Sequence, residues 1–254
     1  MNLIVCMKQT FDTEEKIVLE GLRVSEENVQ FVINPYDEFA IEEAIRLREE
    51  HGGEVTVITV GPDRVEKALR TALAMGADKA IHIYDECLSG DEFVLSKVLT
   101  EVIRPLEYDM ILAGNFAIDS GSGQVAIRLA EHLDLLHIGS VTHLHIEGDQ
   151  IVTKRDVEGE TEGIRASLPV LITTQQGLNE PRYPSLQGIM KAKKKPLERL
   201  MISDINLDKA WVSQTSVIDV FLPLKKEQGR VLKGSMKEQA EELVSLLRYE
   251  VKVV

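Results

Sequence analysis

Apolar positions along the first 175 residues fall into two alternating rhythms. Short, nearly all-apolar runs occur at 2–8 (NLIVCMK), 54–60 (EVTVITV), 79–84 and 109–113 (DMILA). Runs of that length, rich in β-branched residues, predict strands buried on both faces. Between them the spacing changes to a helical period. Pro35 opens a helix in which Phe39, Ile41, Ala44, Ile45 and Leu47 recur on one face, and Gly52-Gly53 closes it. Helices are also predicted over 64–74, after a Gly61-Pro62 turn, and over 92–103. A further strand, 29–33 (VQFVI), reads as hairpin-like. This βαβ alternation predicts a three-layer α/β fold, with a mostly parallel, doubly wound, Rossmann-like sheet.

From Leu136 the pattern turns antiparallel. Strands are predicted at 141–146, 150–157 and 162–166, joined by polar turns at Gly148-Asp149 and Gly159-Glu160, before an apolar strand at 169–173. Beyond Lys195 the alternation fades. Only scattered apolar runs such as 217–222 remain, followed by an amphipathic helix over 236–248 with Ala240, Leu243, Leu246 and Leu247 on one face. The expected organisation is an α/β domain over 1–195 and a C-terminal arm over 196–254, too poor in apolar residues to form its own core. Such an arm either folds back or embraces another subunit.

Composition narrows the function. Against 42 acidic residues stand 29 Lys and Arg, giving a net charge of −13, a field that repels nucleic acid and anionic lipid surfaces. Cys6 sits in an apolar run and Cys87 in an acidic loop, with no disulfide or metal spacing between them. That usage fits a reducing cytoplasm. The start, MNLIVCMKQTF, lacks the basic leader and cleavage site of a secretory signal, and no apolar stretch reaches the ~20 residues of a membrane helix.

Open parallel sheets bind ligands at the carboxyl ends of their strands. The first strand runs into Gln9-Thr10-Phe11-Asp12 without GxGxxG, and no GxxxxGK[ST] occurs, which argues against nicotinamide dehydrogenases and P-loop hydrolases. The loop after 109–113 is richer. Asp119, Ser120, Gly121, Ser122, Gly123 and Gln124 precede an amphipathic helix, so free N–H groups and the helix dipole could converge on a phosphate. Ordinary capping and turn chemistry would explain the same residues. His82, His132, His137, His143 and His145 complete no metal set. No GxSxG or Cys–His pairing marks a nucleophile, and Glu42-Glu43 and Glu49-Glu50 read as the solvated face of a helix. No catalytic constellation emerges.

One stretch stands out: LNEPRYPSLQGIMKAKKK, 178–195. Pro181 and Pro184 stiffen the chain around Tyr183, and Ser185 is placed to cap a helix carrying Leu186, Ile189 and Met190. Lys191, Lys193, Lys194 and Lys195 then complement the dipole as a solvated helix end. Together with RDVEGETEGIRASLPVLIT (155–173), VCMK (5–8), NPYDE (34–38), RTALAMGADKAIHI (70–83) and GNFAIDSGSGQ (114–124), this stretch resembles the β-subunit family of electron transfer flavoproteins, in family order and over nearly the whole chain. Thr153 departs from the pattern, which has an aliphatic or small residue there.

The resemblance implies a non-catalytic subunit of a heterodimer. The redox FAD would lie mainly on the α partner and a structural AMP in this chain, a second FAD replacing the AMP in bifurcating members. The implied nucleotide contacts are Cys6; Asn34, Pro35, Tyr36 and Asp37; Val60; and Gly114, Asn115, Phe116, Ala117, Ile118, Asp119, Ser120, Gly121, Ser122, Gly123, Gln124 and Val125. Gly123 and Val125 replace polar side chains of AMP-binding relatives, so contacts there would fall to backbone or to Ser120 and Ser122. Glu162 matches the family's glutamate, which faces the partner's flavin domain and can pair with an arginine there. Leu186 matches the hydrophobic anchor that docks acyl-CoA and related flavin dehydrogenases, with Tyr183, Pro184, Ile189 and Met190 around it. Electrons would pass on toward a membrane quinone reductase. A stand-alone adenine-nucleotide-binding α/β module is the alternative.

Overall fold

The computed structural model describes all residues except 13, 87–89, 206–211, 225–228 and 254. In chain order the elements are β1 (Asn2–Cys6), β2 (Gln9–Phe11), β3 (Leu19–Glu20), β4 (Arg23–Val24), β5 (Phe31–Ile33), α1 (Pro35–His51), β6 (Glu54–Gly61), α2 (Val65–Met75), β7 (Lys79–Tyr84), α3 (Glu92–Ile103), β8 (Met110–Gly114), α4 (Val125–Leu133), β9 (Leu136–Glu147), β10 (Gln150–Val157), β11 (Glu160–Ser167), β12 (Val170–Thr174), α5 (Leu186–Ala192), β13 (Leu197–Met201) and α6 (Met236–Leu246). Nine strands form one sheet in the order β11-β10-β9-β12-β8-β1-β6-β7-β13. Only β10 runs antiparallel to its neighbours; the other pairings are parallel. The expected α/β class with its antiparallel excursion is therefore the observed one.

Strand pleat explains the apolar runs. In β1, Leu3 and Val5 pack with Ile41 and Ile45 of α1 and with Leu69 and Leu73 of α2, while Ile4 turns to the opposite face with Val98 and Ile103 of α3 and Leu129 of α4. Both faces are covered, so every position of the strand gains from being apolar, at about 1.5–3 kcal/mol for each fully buried aliphatic side chain. Pro35 occupies the first turn of α1, where its missing N–H costs nothing, and Gly52 ends the helix at φ 73°. The hairpin-like expectation for 29–33 is met by β5, which pairs antiparallel with β2. At the departure Thr153, the buried hydroxyl donates to the Ile164 carbonyl at 3.3 Å.

The sheet continues past Lys195, where the sequence pattern faded. Leu197–Met201 adds a ninth strand, parallel to β7, with Leu197 opposite Ala80. Only Leu197 and Leu200 face inward in this edge strand. Between them Arg199 lies over the Tyr84 ring at 4.2 Å and pairs with Asp63 at 2.7 Å. The C-terminal amphipathic helix is α6, closed by a π-helical turn over Leu247–Val251. None of its residues is buried, and Leu243 and Val244 are about half exposed.

Candidate functional site

The order of strand addition reverses about β1. From it the sheet grows through β6 and β7 on one side, then restarts with β8 on the other, so the crevice between the carboxyl ends of β1 and β8 is a topological switch point. Asp37, in the first turn of α1, spans it. Its Oδ2 accepts the Lys8 N–H at 2.7 Å and its Oδ1 the Gly114 N–H at 2.9 Å. Burial pushes the Asp37 carboxyl up to about 7, opposed by the Lys8 N–H, the Asn34 side chain, the Gly114 N–H and the Lys8 charge. Asn34 pins the next loop, donating to the Phe116 carbonyl at 3.0 Å and accepting the Ile118 N–H at 3.1 Å. Gly114 is required by close approach, because a Cβ there would stand 2.3 Å from Asp37 Oδ1.

Above this clamp lies a cavity of about 330 Å³. Of the residues expected at a nucleotide, Cys6, Asn34, Asp37, Val60, Gly114, Asn115, Phe116, Ala117, Ser120, Ser122, Gly123, Gln124 and Val125 line it. Pro35, Tyr36, Ile118, Asp119 and Gly121 do not, and they support the wall instead. The Tyr36 ring lies 4.3 Å from that of Phe116, Asp119 pairs with Lys8 at 2.7 Å, and the Gly121 N–H donates to the Ala117 carbonyl at 2.8 Å. Burial, reinforced by the charge of Asp37, pushes the Cys6 thiol up to about 12, so it stays protonated and is no nucleophile at neutral pH.

Other lining residues carry no motif that would have exposed them. Thr59, Arg64 and Asp91, with the apolar Ile58, Leu95, Leu99 and Leu129, come from β6, α3, α4 and the turns before α2 and α3. Their signal was only their place after a strand or at the start of a helix. Arg64 is held at the rim, 3.8 Å above the Phe31 ring and paired with Glu26 at 2.9 Å.

The donor set suits a nucleotide. Helix α4 has no side-chain cap, so its first N–H groups at Gln124, Val125 and Ala126 reach the cavity wall without a partner of that kind. Gly123, at φ 62°, turns the chain into the helix, and a Cβ there would press on the Asn115 carbonyl at 3.2 Å. Ser120 and Ser122 add hydroxyls, and the aliphatic floor can take a flat base. Backbone and serines thus stand where polar side chains are missing at 123 and 125.

A second candidate surface is the segment after β12. Ser185 caps α5 by accepting the Gly188 N–H at 3.0 Å, and Gly188 lies so close to α2 that a Cβ would meet the Ala74 carbonyl at 2.3 Å. Arg70 of α2 donates to the Ala192 and Lys195 carbonyls at 3.0 and 3.2 Å. In return Lys195 Nζ donates to the Leu73 carbonyl at 2.9 Å and also to that of Ala77. Lys195 is therefore not part of a solvated end; it caps α2, and burial holds its ammonium below the usual lysine range. Lys191, Lys193 and Lys194 stay exposed.

On the other flank, Arg182 forks onto Glu42 and Glu49, and Asn179 donates to Glu43 at 2.9 Å. Glu42 and Glu43 are thus buried, contrary to the solvated face expected for them. What the mount leaves outside is apolar: Tyr183 is 95% exposed, Leu186 76%, Met190 65% and Ile189 46%, with Pro184 half-buried. Glu162, on β11, pairs with Arg155 of β10 at 2.9 Å, so its partner here lies within the chain.

The histidines stay apart from this chemistry. His82 is buried against the Gly61 carbonyl at 2.9 Å, and His145 pairs with Glu147 at 3.0 Å. Among the described residues no three His, Cys, Asp or Glu could hold a metal ion, and no helix is long and apolar enough to cross a membrane. Cys87 lies outside the described residues.

The sequence pattern of the electron transfer flavoprotein domain matches residues 21–205. The electron transfer flavoprotein subunit beta of Bacillus subtilis is 56% identical over 257 residues, covering 100% of both chains. Proteins of the same description from Syntrophomonas wolfei and Thermoanaerobacterium thermosaccharolyticum are 39% and 40% identical, covering 100% and 97% of this chain and 98% of each relative. The chain belongs to the electron transfer flavoprotein family, on the side of its β subunits.

Proposed function

We propose, with that membership as premise, that the chain is the β half of a heterodimeric electron carrier working in the cytoplasm. An α partner holds the FAD that supplies the redox chemistry, while this chain supplies scaffold, nucleotide site and docking loop. The observation that carries this reading is the loop over 183–190, which presents exposed Leu186 on a mount fixed to both α1 and α2. An apolar anchor on a stiff loop costs little ordering entropy on docking and releases quickly, as a shuttle between flavin dehydrogenases and a quinone reductase requires. The chain's own residues bind and orient; none holds or moves a proton in a reaction.

In the cavity we place AMP, its phosphate on the N–H groups opening α4 and the hydroxyls of Ser120 and Ser122, its base against Ile58, Leu99 and Leu129. Pro35, Tyr36, Ile118, Asp119 and Gly121 act behind the wall. The arm packs on the α partner. Its exposed Ile218 (89%), Phe221 (79%) and Leu224 (95%) suit a covering subunit better than a stand-alone module.

Co-expression with the α partner followed by nucleotide extraction tests the proposal. One FAD and one AMP per heterodimer are expected. Finding no adenine nucleotide beyond that FAD would remove AMP from the cavity. The absence of polar side chains at Gly123 and Val125 favours one variant of the reading, a second FAD in a bifurcating-type subunit, and two FADs would select it. Gel filtration showing a stable solitary chain that binds ATP would favour the nucleotide module instead.

A further inference from the structure

Asp91 stands at three junctions at once. It is the N-cap of α3, its Oδ1 accepting the Val94 N–H at 3.1 Å, and it also lines the cavity. Its Oδ2 faces the arm, accepting the Gln214 N–H at 2.6 Å, the Thr215 N–H at 2.9 Å and the Thr215 hydroxyl at 3.2 Å. Its own N–H donates to the Ser213 hydroxyl at 3.2 Å. Residues 213–215 are thereby drawn onto a residue of the cavity wall more than 120 positions earlier in the chain.

We propose that Asp91 is a positioning residue whose hold on residues 213–215 of the arm steadies the α3 side of the cavity wall, so that a nucleotide held there leaves faster when this strap lets go. The inference rests on the nucleotide reading given above. A cap of α3 requires one acceptor oxygen, which Oδ1 provides. The second oxygen is spent wholly on the arm, with three donors converging on it, two of them backbone N–H groups that only this local path of the chain can offer. Charge-assisted bonds of this kind outweigh neutral ones, yet at a partly exposed rim they remain weak enough to open. The arm and the ligand therefore share one wall residue, and whatever draws residues 213–215 off Asp91 would loosen the rim.

The test uses the heterodimer loaded with radiolabelled AMP and chased with excess unlabelled AMP. Thr215→Pro removes the Thr215 N–H and hydroxyl without touching α3 or the cavity. Asp91→Asn keeps a residue that caps helices as well as Asp but leaves a single carbonyl oxygen, which cannot serve both α3 and the arm. Each variant should release label about tenfold faster, the loss of roughly one charge-assisted bond, with an unchanged flavin spectrum. Release at the wild-type rate from variants whose Gln214 amide has lost its protection from hydrogen exchange would overturn the strap. So would a Gln214 amide equally protected in wild type and Asp91→Asn. Wild-type heterodimer that takes up no labelled AMP would instead sink the nucleotide reading itself.

Discussion

Arg182 grips Glu42 with its side chain, Nε to Oε2 at 2.9 Å and to Oε1 at 3.2 Å and Nη2 to Oε1 at 3.0 Å, while its backbone N–H reaches the same carboxylate at 3.1 Å. Nη1 continues to Glu49 at 2.7 Å. Glu42 is only 4% exposed, so the pair ties the docking segment to α1 through a carboxylate that has little access to water. Arg182→Ala strands that charge. The expected loss of stability is about 2 kcal/mol in urea titrations, below the range for a fully buried pair because the arginine is partly solvated. Arg182→Lys, which keeps the charge without the fork, should recover less than half.

Leu186 tests the other side of the same mount. Exposed as it is, Leu186→Ala should leave the unfolding free energy from urea titration within about 0.5 kcal/mol of wild type. Electron transfer from a dehydrogenase should nevertheless slow about tenfold, through a raised KM, if the side chain fills a partner pocket. Unchanged transfer kinetics would take Leu186 out of the anchor role.

At the switch point, Gly114→Ala places a methyl 2.3 Å from Asp37 Oδ1 and 2.7 Å from the Tyr36 Cβ. Neither neighbour can retreat without breaking the clamp between β1 and β8. A destabilisation of about 1–3 kcal/mol is expected, read as a lower thermal midpoint, together with weaker nucleotide retention. Gly121→Ala, with open space around its Cβ but a φ of 66°, should cost about 1 kcal/mol and leave the clamp alone.

Asp37 also sets a pH dependence. Its carboxyl is raised from 3.8 to about 7, so between those values the folded chain keeps a proton that the unfolded chain has lost. Stability from this group is therefore full below pH 4 and falls as pH rises toward 7, with a slope of about 1.4 kcal/mol per pH unit at most. Asp37→Asn has no such proton. The difference in unfolding free energy between wild type and variant should move in favour of the variant from pH 4 to 7, and a difference flat across that window would show Asp37 ionised throughout.

Much of this protein was legible in the chain itself. Period-2 and period-3.6 patterns located β7 and α3 to the residue, because strands covered on both faces and helices with one buried face each leave a strong local imprint. Loops at strand ends pointed to Ser120–Gln124 as candidate anion binders, since glycine, serine and a following helix lie together in sequence. Edge strand β13 escaped because a strand with one neighbour needs few apolar residues, and Glu198 and Arg199 between two leucines give no alternation.

Only the tertiary structure decided which charges are solvated. Glu42, Glu43 and Lys195 look like surface residues in any local window, yet Glu42 and Glu43 are buried and Lys195 half-buried, each against a partner 118 to 140 positions away. Asp37 too is buried by distant donors, between β1 and β8, and half-buried Asp91 takes its partners from the arm. Hydrophobic periodicity is a property of neighbouring residues, so the sequence alone determines the elements and their inward faces. A buried charge is made tolerable by a donor brought from elsewhere in the chain, and no local pattern records that donor.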